Sequence, residues 1–170
     1  MPHLALLCLV VALSGCGFHL RGDVVFPGDL RVEGHQGPGV DESFLNEFRR
    51  SVKSFGVRKP VGNKGVAGTV HVYQLLRLRR PITLGRFGRA NEFDLAFRLV
   101  YDVRNDKGEV ISPRDEIELH RDYFNDQSQP IAQDEEELQI RSEMLKEITQ
   151  TLLRRVTYLL EDKAKADTKS

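Results

Sequence analysis

The stretch from Phe93 to Val103 constrains the fold most, because every second residue in it is a large apolar or aromatic one. Its six odd-numbered positions are all apolar, and its even-numbered positions include Asp94, Arg98 and Asp102. A period of two places the apolar side chains on one face of a β-strand. This pattern predicts a strand that buries one face and therefore needs neighbouring strands and a covering layer.

Turn signals place a second strand directly after this one. Asn105–Gly108 offers a glycine for a positive φ. The following stretch, Val110 to Tyr123, returns as a strand, with an irregularity predicted at Ser112-Pro113. These features predict a β-hairpin.

Two strands are also predicted ahead of Phe93. Thr69 to Arg80 is rich in Val, Leu and Tyr, and we expect it to end at Pro81, with an irregularity at Leu75-Leu76. A long hairpin connection, Pro81 to Ala90, then leads to the next strand. Val24 to Glu33 is predicted as a broken strand that Pro27-Gly28 interrupts.

Helical spacing occurs twice. A first helix is predicted from the N-cap Asp41 to Gly56, with an apolar face of Phe44, Leu45, Phe48, Val52 and Phe55. A last helix is predicted from Asp134 to Asp162, with a buried stripe of Leu138, Leu145, Ile148, Leu152, Val156 and Leu159. We expect residues 163–170 to form a polar, disordered tail.

This order of elements predicts the fold class. A strand, a helix, three consecutive strands and a helix predict an α+β fold with a four-stranded, mainly antiparallel sheet and two amphipathic helices on one face. The folded domain is predicted to span residues 16–162.

The N-terminus carries a short apolar run, Leu4 to Leu13, followed by Ser14-Gly15-Cys16. Ten apolar residues are too few for a membrane-spanning helix but suit the apolar region of a signal peptide. Small residues directly before a cysteine resemble a bacterial lipoprotein signal. We therefore expect residues 1–15 to be removed and Cys16 to be lipidated; an ordinary secretory signal is the alternative.

Composition excludes several classes of protein. Basic and acidic residues balance at 25 each, so no overall charge attracts nucleic acid. With Cys8 in the signal and Cys16 lipidated, the mature chain has no disulfide. No later stretch is apolar enough to cross a membrane, so the protein is expected to be anchored to a bilayer by its lipid.

A basic cluster is the main candidate site. Five arginines occur within thirteen residues, with no acid from Val70 to Asn91: Arg77, Arg79, Arg80, Arg86 and Arg89. Guanidinium groups bind phosphates bidentately, and the interleaved leucines and Phe87 suit acyl chains. The alternative is a solvated strand end whose charges keep an edge soluble.

No catalytic or metal-binding set is found in the sequence. No serine occurs in a Gly-x-Ser-x-Gly context. The five histidines lack the spacing of zinc ligands: His3, His19, His35, His71 and His120. We therefore predict that the protein is not an enzyme and needs no cofactor or metal. A periplasmic hydrolase is the least favoured alternative.

Directly after Cys16, the segment Gly17-Phe18-His19-Leu20-Arg21-Gly22 resembles the LptE family of lipopolysaccharide-assembly lipoproteins. The resemblance implies an α+β domain held on the periplasmic side of the outer membrane. It also implies a complex with the β-barrel LptD, support for its assembly, and binding of lipopolysaccharide.

The resemblance further implies that basic residues bind the lipid A phosphates. Arg86 occupies the family's basic position before Gly88-Arg89-Ala90-Asn91-Glu92-Phe93. A second basic position, ahead of the last helix, corresponds to the uncharged Gln133, so Arg89 or Arg80 is expected to supply the missing charge. A lipid-anchored scaffold of another envelope complex is the alternative function.

Overall fold

The computed structural model describes the backbone of residues 29–34, 37–54, 66–85, 88–105, 107–125 and 130–169. Side chains are described for residues 37–54, 68–85, 88–105, 107–125, 133–160 and 162. Some residues named in the sequence predictions lie outside these ranges: Cys16, Phe55, Gly56 and Arg86. The elements in chain order are β1 (Asp29–Gly34), α1 (Glu42–Ser54), β2 (Val66–Leu84), β3 (Ala90–Arg104), β4 (Val110–Phe124) and α2 (Pro130–Lys169).

The predicted α+β class is confirmed. The sheet order is β1-β2-β3-β4. The three long strands β2, β3 and β4 form the antiparallel part. The short strand β1 is parallel to β2 and pairs with its first residues.

Strand β3 supplies the centre of the core, as its alternation predicts. All six of its odd-numbered apolar side chains are buried: Phe93, Leu95, Phe97, Leu99, Tyr101 and Val103. They share one hydrophobic cluster with Phe44 and Phe48 of α1 and with Met144, Ile148 and Leu152 of α2. Side chains of both helices therefore belong to the same core cluster as this face of β3.

Local signals for turns and caps are also confirmed. Asp41 caps α1 by accepting a 3.0 Å hydrogen bond from the Phe44 amide. Gly108 adopts a φ of +80° in the turn between β3 and β4. The β3–β4 register shifts at Ser112, next to Pro113, in agreement with the predicted irregularity.

Strand β2 continues past Pro81 to Leu84, so the prediction that it ends at Arg80 is wrong. The Cα of Pro81 pairs with that of Phe93. Strand β1 pairs with β2 only as far as Val72, so Pro81 lies where β2 is an edge strand. Proline is tolerated there because an edge strand needs ladder hydrogen bonds on one side only.

The first irregularity of β2 also differs from the prediction. The register shifts between Val72 and Gln74, slightly before the predicted Leu75-Leu76. Beside this shift, the segment Gly37–Gly39 runs along the edge of β2, and the Leu75 amide donates a 3.0 Å hydrogen bond to the Pro38 carbonyl. The segment thus covers part of the edge that β1 leaves open.

This close approach requires glycine. A Cβ on Gly37 would lie 1.7 Å from the Tyr73 carbonyl oxygen, and one on Gly39 would lie 1.8 Å from that of Leu75. Gly39 also has a φ of +78°. Because both obstacles are backbone atoms, no side-chain movement relieves them.

Helix α2 is longer than predicted at both ends. It begins at Pro130 rather than Asp134, since proline suits the first turn of a helix. It continues to Lys169 through the segment predicted as a disordered tail, where lysine and alanine are good helix formers. Its buried stripe is also displaced: Leu138 is 67% exposed, and Met144, Leu153 and Leu160 are buried instead.

We predict that Gly39→Ala lowers the free energy of unfolding by on the order of 3 kcal/mol or more, because it combines strain with a backbone clash. Gly88→Ala is the matched control, since Gly88 has a φ of +71° but open space around its Cβ position. The control substitution should lower the free energy of unfolding by only about 1–2 kcal/mol. Urea unfolding followed by circular dichroism measures both, and equal losses would contradict the close approach.

Candidate functional site

The arginines of the basic cluster do not form one common site among the residues that the structure describes. Arg77 binds the start of α1: its Nη1 lies 3.0 Å from Asp41 Oδ2, and its Nη2 lies 3.1 Å from Asp41 Oδ1. Its Nη1 also donates to the Gly39 carbonyl at 3.1 Å. This bidentate pair joins β2 to the N-cap of α1, so Arg77 serves the fold.

The pKa of Asp41 reflects this pairing. Burial raises it, but hydrogen bonds from Ser43, Arg77 and the Phe44 amide outweigh burial and lower the pKa to about 2. The carboxylate therefore stays charged and remains paired with Arg77 at every physiological pH.

Arg79 binds a second carboxylate, on α2. Its Nε lies 2.9 Å from Glu137 Oε2 and 3.1 Å from the Tyr123 hydroxyl. Its Cζ lies 3.4 Å from the centre of the Phe93 ring, which is a close cation–π contact. The guanidinium thus contacts groups from β3, β4 and α2, while the side chain remains 42% exposed.

Glu137 is the centre of this arrangement. The Tyr123 hydroxyl donates a short hydrogen bond to it, and Arg141 donates another at 2.7 Å. Burial raises the pKa of Glu137, but the bonds from Tyr123 and Arg141 and the charge of Arg79 outweigh burial and hold the pKa below its ordinary value. Burial and the bond to Glu137 raise the pKa of Tyr123, which stays neutral.

Arg80 points to the other side of β2 from Arg79. Its Nη2 lies 3.0 Å from Asp94 Oδ2. His120 Nδ1 lies 2.9 Å from Asp94 Oδ1, and His120 Nε2 lies 3.2 Å from Glu118 Oε1. The hydrogen bonds from His120 and Arg80 hold the pKa of Asp94 below its ordinary value.

The tip of the β2–β3 hairpin carries the remaining candidates. Arg86 lies outside the described residues, whereas Arg89 is described and exposed. Apolar side chains surround this end of the sheet: Leu84 is 66% exposed, Phe124 is 60% exposed and Ile82 is 50% exposed. We define these three residues with Arg80 and Arg89 as the hairpin-end surface.

Gln133, the uncharged counterpart of a basic position, lies in the first turns of α2. Its Nε2 is 3.4 Å from Glu136 Oε2. Its Oε1 is buried and has no hydrogen-bond partner among the described residues. Gln133 brings no positive charge to the hairpin end.

The described residues contain no group of three or more His, Cys, Asp or Glu side chains arranged to hold a metal ion. In the same part of the chain, we find no helix of sufficient length and hydropathy to cross a bilayer.

Sequence reasoning missed the carboxylates that bind these arginines. Arg80 and Asp94 pair because both are equally far from residue 87 in the hairpin, which the sequence could have shown. Nothing in the sequence links Arg77 to Asp41 or Arg79 to Glu137, because those pairs depend on how the helices pack.

Three solved structures with a similar fold are described as lipoproteins. Lipoprotein B of Nitrosomonas europaea is 26% identical, with a TM-score of 0.64, and 83% of this chain and 90% of that chain are covered. A minor lipoprotein of Acinetobacter baumannii is 14% identical, with a TM-score of 0.60 and coverage of 76% and 90%. Rare lipoprotein B of Shewanella oneidensis is 17% identical, with a TM-score of 0.56 and coverage of 84% and 98%. The fold therefore belongs to a class of bacterial lipoprotein domains.

The family follows from the sequence itself. Residues 28–156 match the family described as LptE, lipopolysaccharide-assembly. The chain belongs to the LptE family, as the segment after Cys16 predicts. None of the curated proteins matches the chain.

We predict that Glu137→Gln destabilises the protein at neutral pH by about 1–3 kcal/mol, because Arg79 and Arg141 lose a charged acceptor. The folded pKa of Glu137 is below its ordinary value of 4.5. Its contribution is therefore complete above that value and is lost as the pH falls through the folded pKa. The difference between wild type and variant should narrow in acid.

Urea unfolding of both proteins across a pH series measures this effect. Glu143→Gln is the control, since Glu143 is exposed on the same helix and accepts a hydrogen bond only from Gln139 among the described residues. If Glu137→Gln lowers the free energy of unfolding by the same amount at every pH, the charged arrangement around Glu137 is contradicted.

Proposed function

We propose that this protein is an outer-membrane lipoprotein, anchored on the periplasmic side through a lipid on Cys16, that forms a complex with the β-barrel LptD. In this complex it supports assembly of the barrel and helps to deliver lipopolysaccharide to the cell surface. Membership of the LptE family supports the proposal. The protein acts by binding and not by catalysis.

The observation that carries lipopolysaccharide binding is the composition of the hairpin-end surface. Large apolar side chains are costly to expose together, and contiguous exposed patches mark sites of interaction. Leu84, Ile82 and Phe124 are all at least half exposed beside Arg80 and Arg89. Lipid A presents phosphates next to acyl chains, and this surface presents guanidinium groups next to apolar side chains.

We assign the five arginines to two roles. Arg77 and Arg79 are held by Asp41 and Glu137, so we assign them to the fold. Arg86 and Arg89, at the tip, are assigned to phosphate binding. Arg80 is 57% exposed although it binds Asp94, so it can turn one edge of its guanidinium to a phosphate and replace the charge that Gln133 lacks.

The arrangement of the helices supports this assignment. We propose that both helices cover the same face of the sheet, since buried side chains of both belong to one hydrophobic cluster with Leu95 and Leu99. The opposite face, with Arg80 and Asp94, then remains available at the hairpin end for a ligand.

A scaffold of another envelope complex is the second candidate. It is favoured by one observation: Arg77, Arg79 and Arg80 each have a carboxylate partner, as arginines with a purely structural role would. The two candidates differ in whether charge at the tip affects lipid binding.

We predict that Arg86→Glu weakens binding of lipopolysaccharide by roughly tenfold or more, because a phosphate contact becomes a repulsion. The purified full chain in detergent, titrated with fluorescent lipopolysaccharide, measures the affinity. Added salt should weaken wild-type binding, since exposed charges are screened.

Arg49→Glu is the matched control, because Arg49 is exposed on α1 and its substitution makes the same change in charge. It should bind as the wild type does. If Arg86→Glu and Arg49→Glu bind equally well, the hairpin tip does not bind lipid A phosphates and the scaffold function is favoured.

A further inference from the structure

A second surface lies at the other end of the domain, between β4 and α2. A cavity of about 450 Å³ opens there, and Ser112, Arg154, Arg155, Tyr158 and Leu159 are among its lining residues. About 18 residues of α2 separate Glu137, near the hairpin end, from Arg155, which corresponds to about 27 Å along a helix. This cavity is therefore distinct from the hairpin-end surface.

The wall of the cavity is held by a partly exposed hydrogen-bond network. The hydroxyl of the buried Tyr101 donates to Asp115 Oδ2 at 3.0 Å. Arg155 Nη1 donates to the same oxygen at 2.9 Å and to the Glu116 carbonyl at 3.0 Å. The charge of Arg155 is thus already used to hold α2 on β4.

Arg154 differs from its neighbour. Its Nη2 donates to Thr151 Oγ1 at 2.8 Å, and none of the carboxylates that the structure describes lies within ion-pairing distance of it. By contrast, Arg77, Arg79 and Arg155 all have such a partner. Arg154 therefore presents a positive charge at the rim of the cavity that none of the described carboxylates compensates.

Tyr158 lies one helical turn after Arg154 and so shares its face of α2. Tyr158 is 70% exposed, the highest value for a large apolar or aromatic residue in the part of the chain that the structure describes. Tyrosine and arginine are the residues that most often contribute the binding energy of protein interfaces. An exposed pair of this kind over a partly apolar cavity is typical of a protein-binding surface.

We propose that Arg154 and Tyr158 form the docking surface for the partner protein. The partner seats an apolar side chain against Tyr158 and Leu159, and one of its carboxylates binds the Arg154 guanidinium. The occupant is an acidic and apolar segment of a protein, because the unpaired charge is positive and the neighbouring ring requires a nonpolar contact. This inference rests on the proposed complex with a β-barrel and names the surface that contacts it.

The test uses the full-length, tagged lipoprotein produced in its host. A photo-crosslinking phenylalanine derivative replaces Tyr158 in one protein and the exposed Lys146 of the same helix in a control. Illumination followed by purification from detergent-solubilised outer membranes should join the barrel to the first protein and not to the second. The aromatic replacement at position 158 preserves the ring, so folding is not at risk.

A second readout is recovery of the barrel with Arg154→Glu, which should fall by about tenfold or more as for other interface hot spots. Lys146→Glu makes the same charge change and should leave recovery unchanged. Both variants should keep the wild-type affinity for lipopolysaccharide, because the hairpin end is unaltered.

The outcomes separate this inference from the proposed function. If the wild type and Arg154→Glu recover the barrel in equal amounts and position 158 gives no crosslink, the proposed docking surface is wrong. The proposed complex is then unaffected. A crosslink from position 158 to a different protein also overturns it. Failure of the wild type to recover any barrel overturns the proposed function itself.

Discussion

The apolar face of β3 is the constraint on which the rest of the structure depends. Six large side chains on one side of one strand have to be removed from water, and each contributes about 1.5–3 kcal/mol when buried. No single neighbour can cover them. Two flanking strands set β3 in the middle of the sheet, and side chains from both helices complete the same hydrophobic cluster.

Coverage of this face also explains the ion pairs near the hairpin. Beyond Leu75, β2 carries Arg77 and Arg79, which pair with Asp41 at the start of α1 and with Glu137 of α2. The side chains of Arg77 and Arg79 are 24% and 42% exposed, so a carboxylate partner offsets the hydration that each guanidinium loses.

Sequence patterns predicted the features that depend on neighbours along the chain. The alternation of β3, the Asp41 cap and the positive φ of Gly108 are all local, and all are confirmed. The predictions are wrong where contacts between segments far apart in the sequence determine the structure. Pro81 is accepted because β1 is too short to reach it, and Leu138 is exposed because the buried stripe of α2 is rotated toward Met144.

The candidate site shows the same division. Composition identified the five arginines, but not which of them are bound by carboxylates far away in the sequence. Asp41 is separated from Arg77 by 36 residues and Glu137 from Arg79 by 58, so no local pattern contains these pairs. The cavity beside Tyr158 was missed entirely, since exposure of one tyrosine on a long helix has no sequence signature.

The parallel pairing of β1 has a consequence for the order of folding. Strands β2, β3 and β4 follow one another through short turns, so their contacts close small loops and form early. Strand β1 reaches β2 only after α1 and its connections have been placed, and it contributes six residue pairs in the less stable parallel arrangement. We therefore expect β1 to join last and to detach first. Of the strands that the structure describes, the first in the chain is then the one whose release leaves the hydrophobic cluster around β3 intact.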